Sequence, residues 1–318
     1  MNFGIIGFGN IARRFAEGIE ATDEGRITAI ASKSLSTDDP YLAAHPQVKY
    51  YKHYEDLLRN PKIDAVYIAL THKFHKQWIL QAMEHHIPIL CEKPLVLSSA
   101  EVDEIQAKGK ETGTYCLEAF KTKFNNGFSH LKKDLSLIGK ILDVQTSFCS
   151  DASGMPSDCF LFDPEQGGAL NDIGSYVLGF ILAICPESIE NVSSTLKIDN
   201  GIETYFSADI SFSGGCAGHA EGAIDRKKDR TAFINGSLGT IEIPFYNRIT
   251  NYTIRLANGS VIERNFPIYG NDMTMEIQAM IQDVKAGKTE NSLHTLNDTK
   301  NILILSEKIR AMAKPTVS

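Results

Sequence analysis

Residues 3–12 read Phe-Gly-Ile-Ile-Gly-Phe-Gly-Asn-Ile-Ala, and they decide how the first part of the chain is interpreted. An apolar run ends at Gly7 and helical spacing begins at Asn10, which predicts a buried strand, a tight turn and a helix. Gly7 permits the turn, Gly9 lets the backbone approach a pyrophosphate, and the helix N-terminus at Asn10 and Ile11 faces the anion. We predict a dinucleotide site here. A plain structural turn and an S-adenosylmethionine site are the alternatives.

Strand-like and helix-like stretches continue to alternate up to residue 119. The further strand-like stretches are 26–31, 47–51, 63–70, 87–91 and 114–117, and helical spacing covers 74–85 and 98–110. Alternation with short loops is typical of a parallel, doubly wound sheet. The sequence therefore predicts an α/β Rossmann domain over residues 1–119.

The pattern changes after residue 120. A helix near 128–135, a strand over 140–149 and an apolar helix over 170–184 precede seven strand-like runs between 191 and 265. Hairpin signals stand at Asn200-Gly201, Asn235-Gly236 and Asn258-Gly259. Two helices, 272–286 and 296–313, close the chain. We predict an α+β domain over 120–318 with a large, mainly antiparallel, open-faced sheet, whose C-terminal helix can pack back on the first domain.

The composition excludes several classes of protein. The chain has 32 Lys and Arg against 39 Asp and Glu, a formal charge of −7, which disfavours a broad basic face for nucleic acid. No apolar stretch approaches the roughly 20 residues of a spanning helix, and no secretory signal is expected. The six cysteines are widely spaced, without a zinc-type pattern. We expect a cytoplasmic protein with reduced cysteines, no metal, and no nucleic-acid or membrane partner.

The residues after the second strand indicate which dinucleotide is preferred. An NAD site usually has an acidic residue there for the ribose 2′-hydroxyl. Here the sequence has Ser32, Lys33 and another serine, with no acid before Asp38. A lysine flanked by hydroxyls suits a 2′-phosphate. We predict NADP as the cofactor and keep NAD as the alternative.

Two further groups of residues suit hydride-transfer chemistry. Glu92, Lys93 and a proline follow the strand 87–91, at the edge where open α/β sheets bind ligands. Asp172 and Tyr176 are four residues apart and share one helical face. An ammonium beside Tyr176 would favour its phenolate. Taken alone, the first group also fits a surface turn, and Tyr176 also fits an ordinary packed helix tyrosine.

Taken together, four motifs in order resemble the Gfo/Idh/MocA family of oxidoreductases. They are the glycine loop, Thr71-His72-Lys73-Phe74-His75, Cys91-Glu92-Lys93-Pro94-Leu95, and Gly-Gly-Ala-Leu-x-Asp-x-Gly-x-Tyr at 167–176. The resemblance spans essentially the whole chain and is strongest to the dimeric dihydrodiol dehydrogenase and NADP-linked D-xylose dehydrogenase branch. It implies that Lys93 and Tyr176 form the catalytic pair and that Asp172 lies near the substrate. It also implies that the nicotinamide side of the cofactor is lined by Thr71, His72, His75 and Glu92.

The chain departs from that branch after Glu118-Ala119. The branch usually continues with Trp-x-Arg-Phe-x-Pro, whereas here Lys121, Lys123 and Asn126 stand at the tryptophan, arginine and proline positions. Losing the aromatic residue disfavours a flat aromatic diol. We expect Lys121 to contact a hydroxyl-rich or anionic substrate.

These observations predict an NADP-dependent oxidoreductase acting on a sugar, a polyol or a related hydroxy or carbonyl compound. Tyr176 would exchange the proton and Lys93 would orient the substrate oxygen. A non-enzymatic dinucleotide sensor of the same fold is the alternative, and a methyltransferase is a third. In the strand 203–213, alternation places Phe206 and its even-numbered neighbours on one face and Ser207 on the other. The second face suits a homodimer or higher homo-oligomer, with a hydrated monomer as the alternative.

Overall fold

The structure is a computed structural model that describes residues 1–315, except for the side chains of residues 314 and 315. The strands are β1 Asn2–Ile6, β2 Arg26–Ala31, β3 Lys49–Tyr51, β4 Ala65–Ile68, β5 Ile89–Glu92, β6 Cys116–Ala119, β7 Ile141–Cys149, β8 Ile189–Asp199, β9 Ile202–Phe212, β10 Ala217–Ala223, β11 Thr231–Gly236, β12 Gly239–Pro244, β13 Asn251–Leu256, β14 Val261–Asn265 and β15 Ala313–Pro315. The α-helices are α1 Asn10–Glu20, α2 Pro40–Ala44, α3 Tyr54–Leu58, α4 His75–Glu84, α5 Ser99–Thr112, α6 Asn126–Asp134, α7 Ala169–Asp172, α8 Gly174–Ile184, α9 Thr274–Lys285 and α10 Leu296–Met312.

The chain divides into two compact units. The first comprises Met1–Lys121 and Ile268–Thr299, and the second comprises Thr122–Pro267 and the residues from Lys300 onward. The predicted division placed the whole of 120–318 in one domain, and α9 departs from it. This helix packs on α1, where a Cβ added to Gly18 would lie 3.3 Å from the Ile277 side chain. The close approach explains why α9 joins the first unit.

The first unit is built around a six-stranded sheet in the order β3-β2-β1-β4-β5-β6. Every neighbouring pair is parallel, which confirms the predicted Rossmann architecture. The strand order reverses between β1 and β4, and ligands bind at such a switch point, beyond the carboxyl ends of the strands. The loops that follow β1, β4 and β5 therefore lie beside one another. They carry the predicted cofactor residues other than Ser32 and Lys33, which follow β2.

The second unit is built around a nine-stranded sheet in the order β14-β13-β12-β11-β7-β10-β9-β8-β15. The pairs β7–β10 and β8–β15 are parallel and the others are antiparallel, as the sequence predicts. On β9, Phe206, Ala208, Ile210 and Phe212 are buried. Asp209 is exposed and Ser207 is partly exposed, so one face of this strand packs and the other meets solvent.

Two local predictions for the second unit are wrong. The helix expected over 170–184 is two helices, α7 and α8, with a turn at Ile173, although the backbone there stays in the right-handed helical region. The Asn235-Gly236 pair is not the hairpin turn. It lies inside β11, where Gly236 pairs with Gly239, so residues 237–238 make the turn. The register was fixed by the buried Ile234–Ile241 pair and not by the local turn signal.

Two of the cysteines also depart from expectation. Cys185, after α8, and Cys216, before β10, are joined as a disulfide with their Cα atoms 6.6 Å apart. The prediction that all six cysteines are reduced is therefore wrong for this pair. Helix α8 packs on β10, which brings the two segments together. Cys91, Cys116 and Cys149 are free and buried. Among the described residues, no helix is both long and apolar enough to cross a bilayer.

Candidate functional site

The glycine loop has the backbone geometry that an anion site needs. Gly7 has φ of +85°, and a Cβ there would clash with the carbonyl oxygen of Ala69. Its N–H donates to the carbonyl of Ala31 at 2.9 Å, which holds the loop against β2. Gly9 caps α1 without a side-chain hydrogen bond, and a Cβ added to it would meet nothing within 4 Å. The N-terminus of α1 is therefore open to a phosphate.

The polar residues after β2 have distinct roles. Ser32 is buried, and its hydroxyl accepts a hydrogen bond from the N–H of Leu35 at 3.2 Å, so it shapes the loop. Lys33 is exposed, with its ammonium 5.3 Å from the centre of the Tyr54 ring. A cation thus stands at the end of β2, where an NAD site would have an acid.

Arg13, which the sequence reasoning missed, is a second cation close to the glycine loop. Its guanidinium lies 4.8 Å from the centre of the Phe8 ring and donates to both oxygens of Asp39, at 3.2 and 2.6 Å. The hydrogen bond from Arg13 lowers the pKa of the Asp39 carboxyl despite partial burial. Asp39 is therefore already paired with a cation. The position of Arg13 in the first turn of α1 was the one available signal.

His75 fastens the loop after β4 to the loop after β5. Its Nδ1 lies 2.9 Å from the carbonyl oxygen of Pro94, and its Nε2 lies 2.9 Å from that of Leu70. The ring is fully buried, and burial lowers the pKa of the imidazole. Both nitrogens lie against backbone carbonyl oxygens, so the ring connects the two loops. His72 is also buried, with its ring edge-on to that of His75, and Thr71 is half-buried.

Glu92 has a hydrogen bond to each carboxylate oxygen. One accepts from the Tyr67 hydroxyl at 2.5 Å and the other from the N–H of Lys93 at 3.3 Å. Glu276, on α9, lies near it and is buried, and one of its oxygens has no hydrogen-bond partner among the described residues. Burial and then the charge of Glu92 raise the pKa of Glu276 well above its ordinary value. The buried Glu276 carboxyl therefore favours its protonated form more than an exposed glutamate does.

Glu118 holds the chain just past Lys93. Its carboxylate accepts hydrogen bonds from the Leu95 N–H at 2.9 Å, from Nε2 of His294 at 2.7 Å and from the Thr299 hydroxyl at 2.8 Å. Burial opposes ionisation, but the hydrogen bond and charge of His294 hold the pKa of Glu118 below its ordinary value. A buried carboxylate thus fixes the backbone two residues after Lys93. His294 lies 176 residues away in the sequence, and no local pattern reveals it.

Lys121, predicted to contact the substrate, has a carboxylate partner in the first unit. Its ammonium lies 2.8 Å from Oδ2 of Asp272, and both side chains are nearly buried. Arg14 on α1 donates to the other oxygen of Asp272. The lysine therefore links the end of β6 to the segment before α9.

The second unit carries the predicted pair Asp172 and Tyr176. Asp172 ends α7, and Tyr176 lies in the first turn of α8 with 8% of its surface exposed. The Tyr176 ring stacks beside that of Phe148, 5.8 Å between centres. Asn171 fixes α7 by accepting from the guanidinium of Arg310 at 2.7 Å. Lys93 belongs to the first unit.

Arg230 is a further residue that the sequence reasoning missed. Its guanidinium lies 4.2 Å from the centre of the Phe148 ring. Burial and then the charge of Arg248 lower the pKa of Arg230, while Tyr176 and Asp172 act in the opposite direction. It lies immediately before β11, in a stretch of charged residues that resembles an ordinary surface loop. Within residues 1–315 the structure shows no group of three His, Cys, Asp or Glu side chains that could hold a metal ion.

Family models match both units of this architecture. Residues 1–120 match the oxidoreductase family GFO_IDH_MocA, described as having an NAD-binding Rossmann fold, and residues 134–242 match the GFO/IDH/MocA C-terminal domain. The chain belongs to the Gfo/Idh/MocA oxidoreductase family. The predicted family resemblance is thereby confirmed.

Several known proteins are similar over nearly the whole chain. The scyllo-inositol 2-dehydrogenase (NADP(+)) of Bacillus subtilis is 26% identical over 322 residues, covering 98% of this chain and 96% of that protein. The trans-1,2-dihydrobenzene-1,2-diol dehydrogenase of Mus musculus is 26% identical, with the same coverage. A 3-ketoreductase from Actinomadura kijaniata, crystallised with NADP, has a TM-score of 0.86 at 22% identity, covering 99% of this chain and 98% of that one. The last likeness concerns the fold alone.

Proposed function

We propose that this member of the family transfers a hydride between NADP(H) and a sugar, a polyol or a related hydroxy or carbonyl compound. The observation that carries the proposal is the arrangement of three loops at one edge of the Rossmann sheet. The glycine loop follows β1, Thr71–His75 follows β4, and Glu92–Pro94 follows β5, and these strands are neighbours. Ligands bind at this edge of open α/β sheets.

The residues of the first unit fit a phosphorylated dinucleotide. The open N-terminus of α1 suits the pyrophosphate, and Lys33 suits a 2′-phosphate. When bound, the nicotinamide supplies the hydride acceptor or donor. NADP is the cofactor named for the Bacillus subtilis relative, which supports the same choice here. NAD is the alternative cofactor, and a higher affinity of the protein for NAD than for NADP would favour it.

The chemistry proposed for the protein itself is proton transfer and orientation. Tyr176 takes the hydroxyl proton when the substrate is oxidised and returns it when a carbonyl is reduced. Lys93 donates a hydrogen bond to the same substrate oxygen and favours the phenolate form of Tyr176 through its charge. Glu118 and His75 act as positioning residues, because each fixes backbone next to Lys93. Asp172 lies near the substrate in this proposal.

Assembly and location complete the proposal. The solvent-facing side of β9, which includes Ser207 and Asp209, is a sheet face that a second copy of the chain can cover, so we propose a homodimer. The first unit would bind the cofactor, and the second would supply the substrate residues and the dimer face. We propose the cytoplasm as the site of action.

Removing the Lys93 ammonium tests the proposal. Lys93→Ala should lower kcat by about a hundredfold or more, because the donor that stabilises charge on the substrate oxygen is lost. Lys110→Ala, an exposed lysine on α5, is the matched control and should keep full activity. The assay follows reduced nicotinamide by absorbance over a panel of sugars, polyols and carbonyl compounds, in both directions. Tight NADP binding without turnover of any compound would favour the dinucleotide sensor instead.

A further inference from the structure

Two arginines of the second unit lie on adjacent segments, joined where the Tyr246 N–H donates to the carbonyl of Arg230 at 3.4 Å, and neither forms an ion pair among the described residues. Arg230 precedes β11, and Arg248 ends the short 3₁₀ turn Tyr246–Arg248. Both are partly buried. Burial and then the charge of Arg248 lower the pKa of the Arg230 guanidinium, which still leaves it protonated at neutral pH.

Other arginines of the second unit have carboxylate partners, which Arg230 and Arg248 lack among the described residues. In the described part of the second unit, Arg226, Arg264 and Arg310 each form an ion pair with a carboxylate. Arg230 and Arg248 form none within that part, and neither does Arg255, which differs from them in being exposed. Holding two like charges together in a partly desolvated place costs free energy unless an anion offsets it. An anion bound from solution would supply that offset.

The arginine pair is also next to the proposed proton-transfer residue. Arg230 and Tyr176 both contact Phe148. The Arg230 guanidinium lies over the Phe148 ring, and the Tyr176 ring stacks beside that ring with 5.8 Å between centres. Tyr176 and Asp172 both raise the pKa of Arg230, against the larger lowering by burial and Arg248. An anion held by Arg230 would therefore lie close to the residues that act on the substrate.

A third polar group in this place has no partner. The hydroxyl of Tyr246 is fully buried and forms no hydrogen bond within the described part of the chain, although buried polar groups normally have one. Arg230 acts electrostatically on this phenol. The Thr122 hydroxyl donates to the carbonyl of Asn247 at 3.2 Å and ties the 3₁₀ turn to the segment after Lys121. The guanidinium groups of Arg230 and Arg248 and the hydroxyl of Tyr246 therefore belong to neighbouring segments, one of which is held in place by the Thr122 hydrogen bond.

We propose that the substrate carries an oxyanion, either a carboxylate or a phosphate monoester, and that Arg230 and Arg248 bind this group. Guanidinium groups match the planar, multi-oxygen geometry of both anions better than lysine does. The inference rests on the proposed function, since it identifies a substrate class for the same site. Arg230 and Arg248 would determine which hydroxy compound is accepted, while Tyr176 would handle its proton.

Matched substrates test the proposal directly. A neutral hexose, the corresponding uronate and the corresponding hexose phosphate are compared with NADP(H), in both directions, on the unmutated protein and on Arg248→Gln and Arg230→Gln. The uronate or the phosphate should be preferred over the neutral sugar by roughly tenfold to a hundredfold in kcat/KM, as expected for hydrogen bonds between charged groups. Each variant should remove that preference by raising KM for the charged compound, and Arg248→Gln should do so with little change in KM for the neutral one. Arg255→Gln, an exposed arginine on β13, is the matched control and should keep the preference.

The kinetic outcomes separate this inference from the proposed function. Equal turnover of neutral and charged compounds would overturn the oxyanion site and leave the oxidoreductase proposal standing. A preference for the uronate would indicate a carboxylate as the bound group, and a preference for the hexose phosphate would indicate a phosphate.

A binding measurement decides the case in which none of these compounds is turned over. With saturating NADP, inorganic phosphate should raise the Tm of the unmutated protein and of Arg255→Gln, but not that of Arg248→Gln. The absence of a phosphate-dependent shift in the unmutated protein would overturn the oxyanion site. The affinity for NADP should be the same in all three proteins, because the arginine pair is assigned to the substrate. A loss of NADP affinity in Arg248→Gln would overturn that assignment.

Discussion

The buried hydrogen bonds of Glu118 make a quantitative prediction about stability and pH. Replacing His294 by leucine removes the donor at 2.7 Å and leaves the Glu118 carboxylate buried with its charge poorly compensated. Breaking a buried pair in this way typically costs about 3–5 kcal/mol. The folded variant can limit the cost by protonating Glu118.

The cost of that protonation depends on pH and sets the size of the effect. Relative to an ordinary pKa of 4.5, protonating a carboxyl costs about 1.4 kcal/mol for each pH unit above that value. The loss of stability in His294→Leu should therefore be limited to about 4 kcal/mol at pH ~7.5 and to about 1.4 kcal/mol at pH ~5.5. At about 2–4 °C per kcal/mol, the corresponding falls in Tm are about 8–16 °C and about 3–6 °C.

The sign of the pH dependence follows from the direction of each pKa shift. In the unmutated protein the pKa of Glu118 is lowered, so its contribution to stability is present above its ordinary pKa and is lost as pH falls through the lowered value. In His294→Leu the folded-state pKa of Glu118 is raised. The variant is therefore least impaired at low pH and loses stability as pH rises.

Thermal melting across this pH range is the assay, with His85→Leu as the matched control. His85 is exposed, so its replacement should change stability by about 0.5 kcal/mol or less. A fall in Tm for His294→Leu that does not vary with pH, or that is no larger than the control's, would refute the reasoning about Glu118.

Two further predictions concern the cofactor and the assembly. Lys33→Asp should weaken NADP binding by roughly tenfold to a hundredfold and leave NAD nearly unchanged, because it replaces attraction for the 2′-phosphate with repulsion. Titrations with both dinucleotides measure this, Lys62→Asp is the exposed control, and equal affinities of the unmutated protein for the two would contradict it. Light scattering at micromolar concentration should give twice the chain mass of 35.1 kDa. Ser207→Arg, on the open face of β9, should restore the single-chain mass, and a single-chain mass before mutation would eliminate the dimer.

Much of the fold could be predicted because hydrophobic periodicity directly reflects burial. On β9 the alternation of Phe206 with Ser207 appears in the structure as alternating burial. The glycine loop was likewise recognisable, because the positive φ of Gly7 is a backbone requirement that few other residues meet. Where the hydrophobic periodicity was locally ambiguous, the predicted helix boundaries were wrong, as at the turn at Ile173 between α7 and α8.

The parts of the site that depend on distant residues could not be predicted. Glu118 is hydrogen-bonded to a histidine 176 residues away, and nothing in the spacing of either residue indicates the contact. In the sequence, Arg230 looks like an ordinary charged loop residue, and only the structure shows that its guanidinium lies over the Phe148 ring. Family motifs predict candidate residues, whereas the groups that hold those residues in place are visible only once the chain has folded.

The central claim is that Tyr176 carries the proton while a hydride moves to or from NADP. The decisive measurement compares the unmutated protein with Tyr176→Phe on one good substrate, with reduced nicotinamide followed by absorbance and NADP affinity measured in parallel. The account predicts a fall in kcat of about a hundredfold or more with unchanged NADP affinity, because only a hydroxyl is lost. Tyr269→Phe, which removes the hydroxyl of an exposed tyrosine, should be fully active. Normal turnover by Tyr176→Phe would contradict the account and assign the proton to another group.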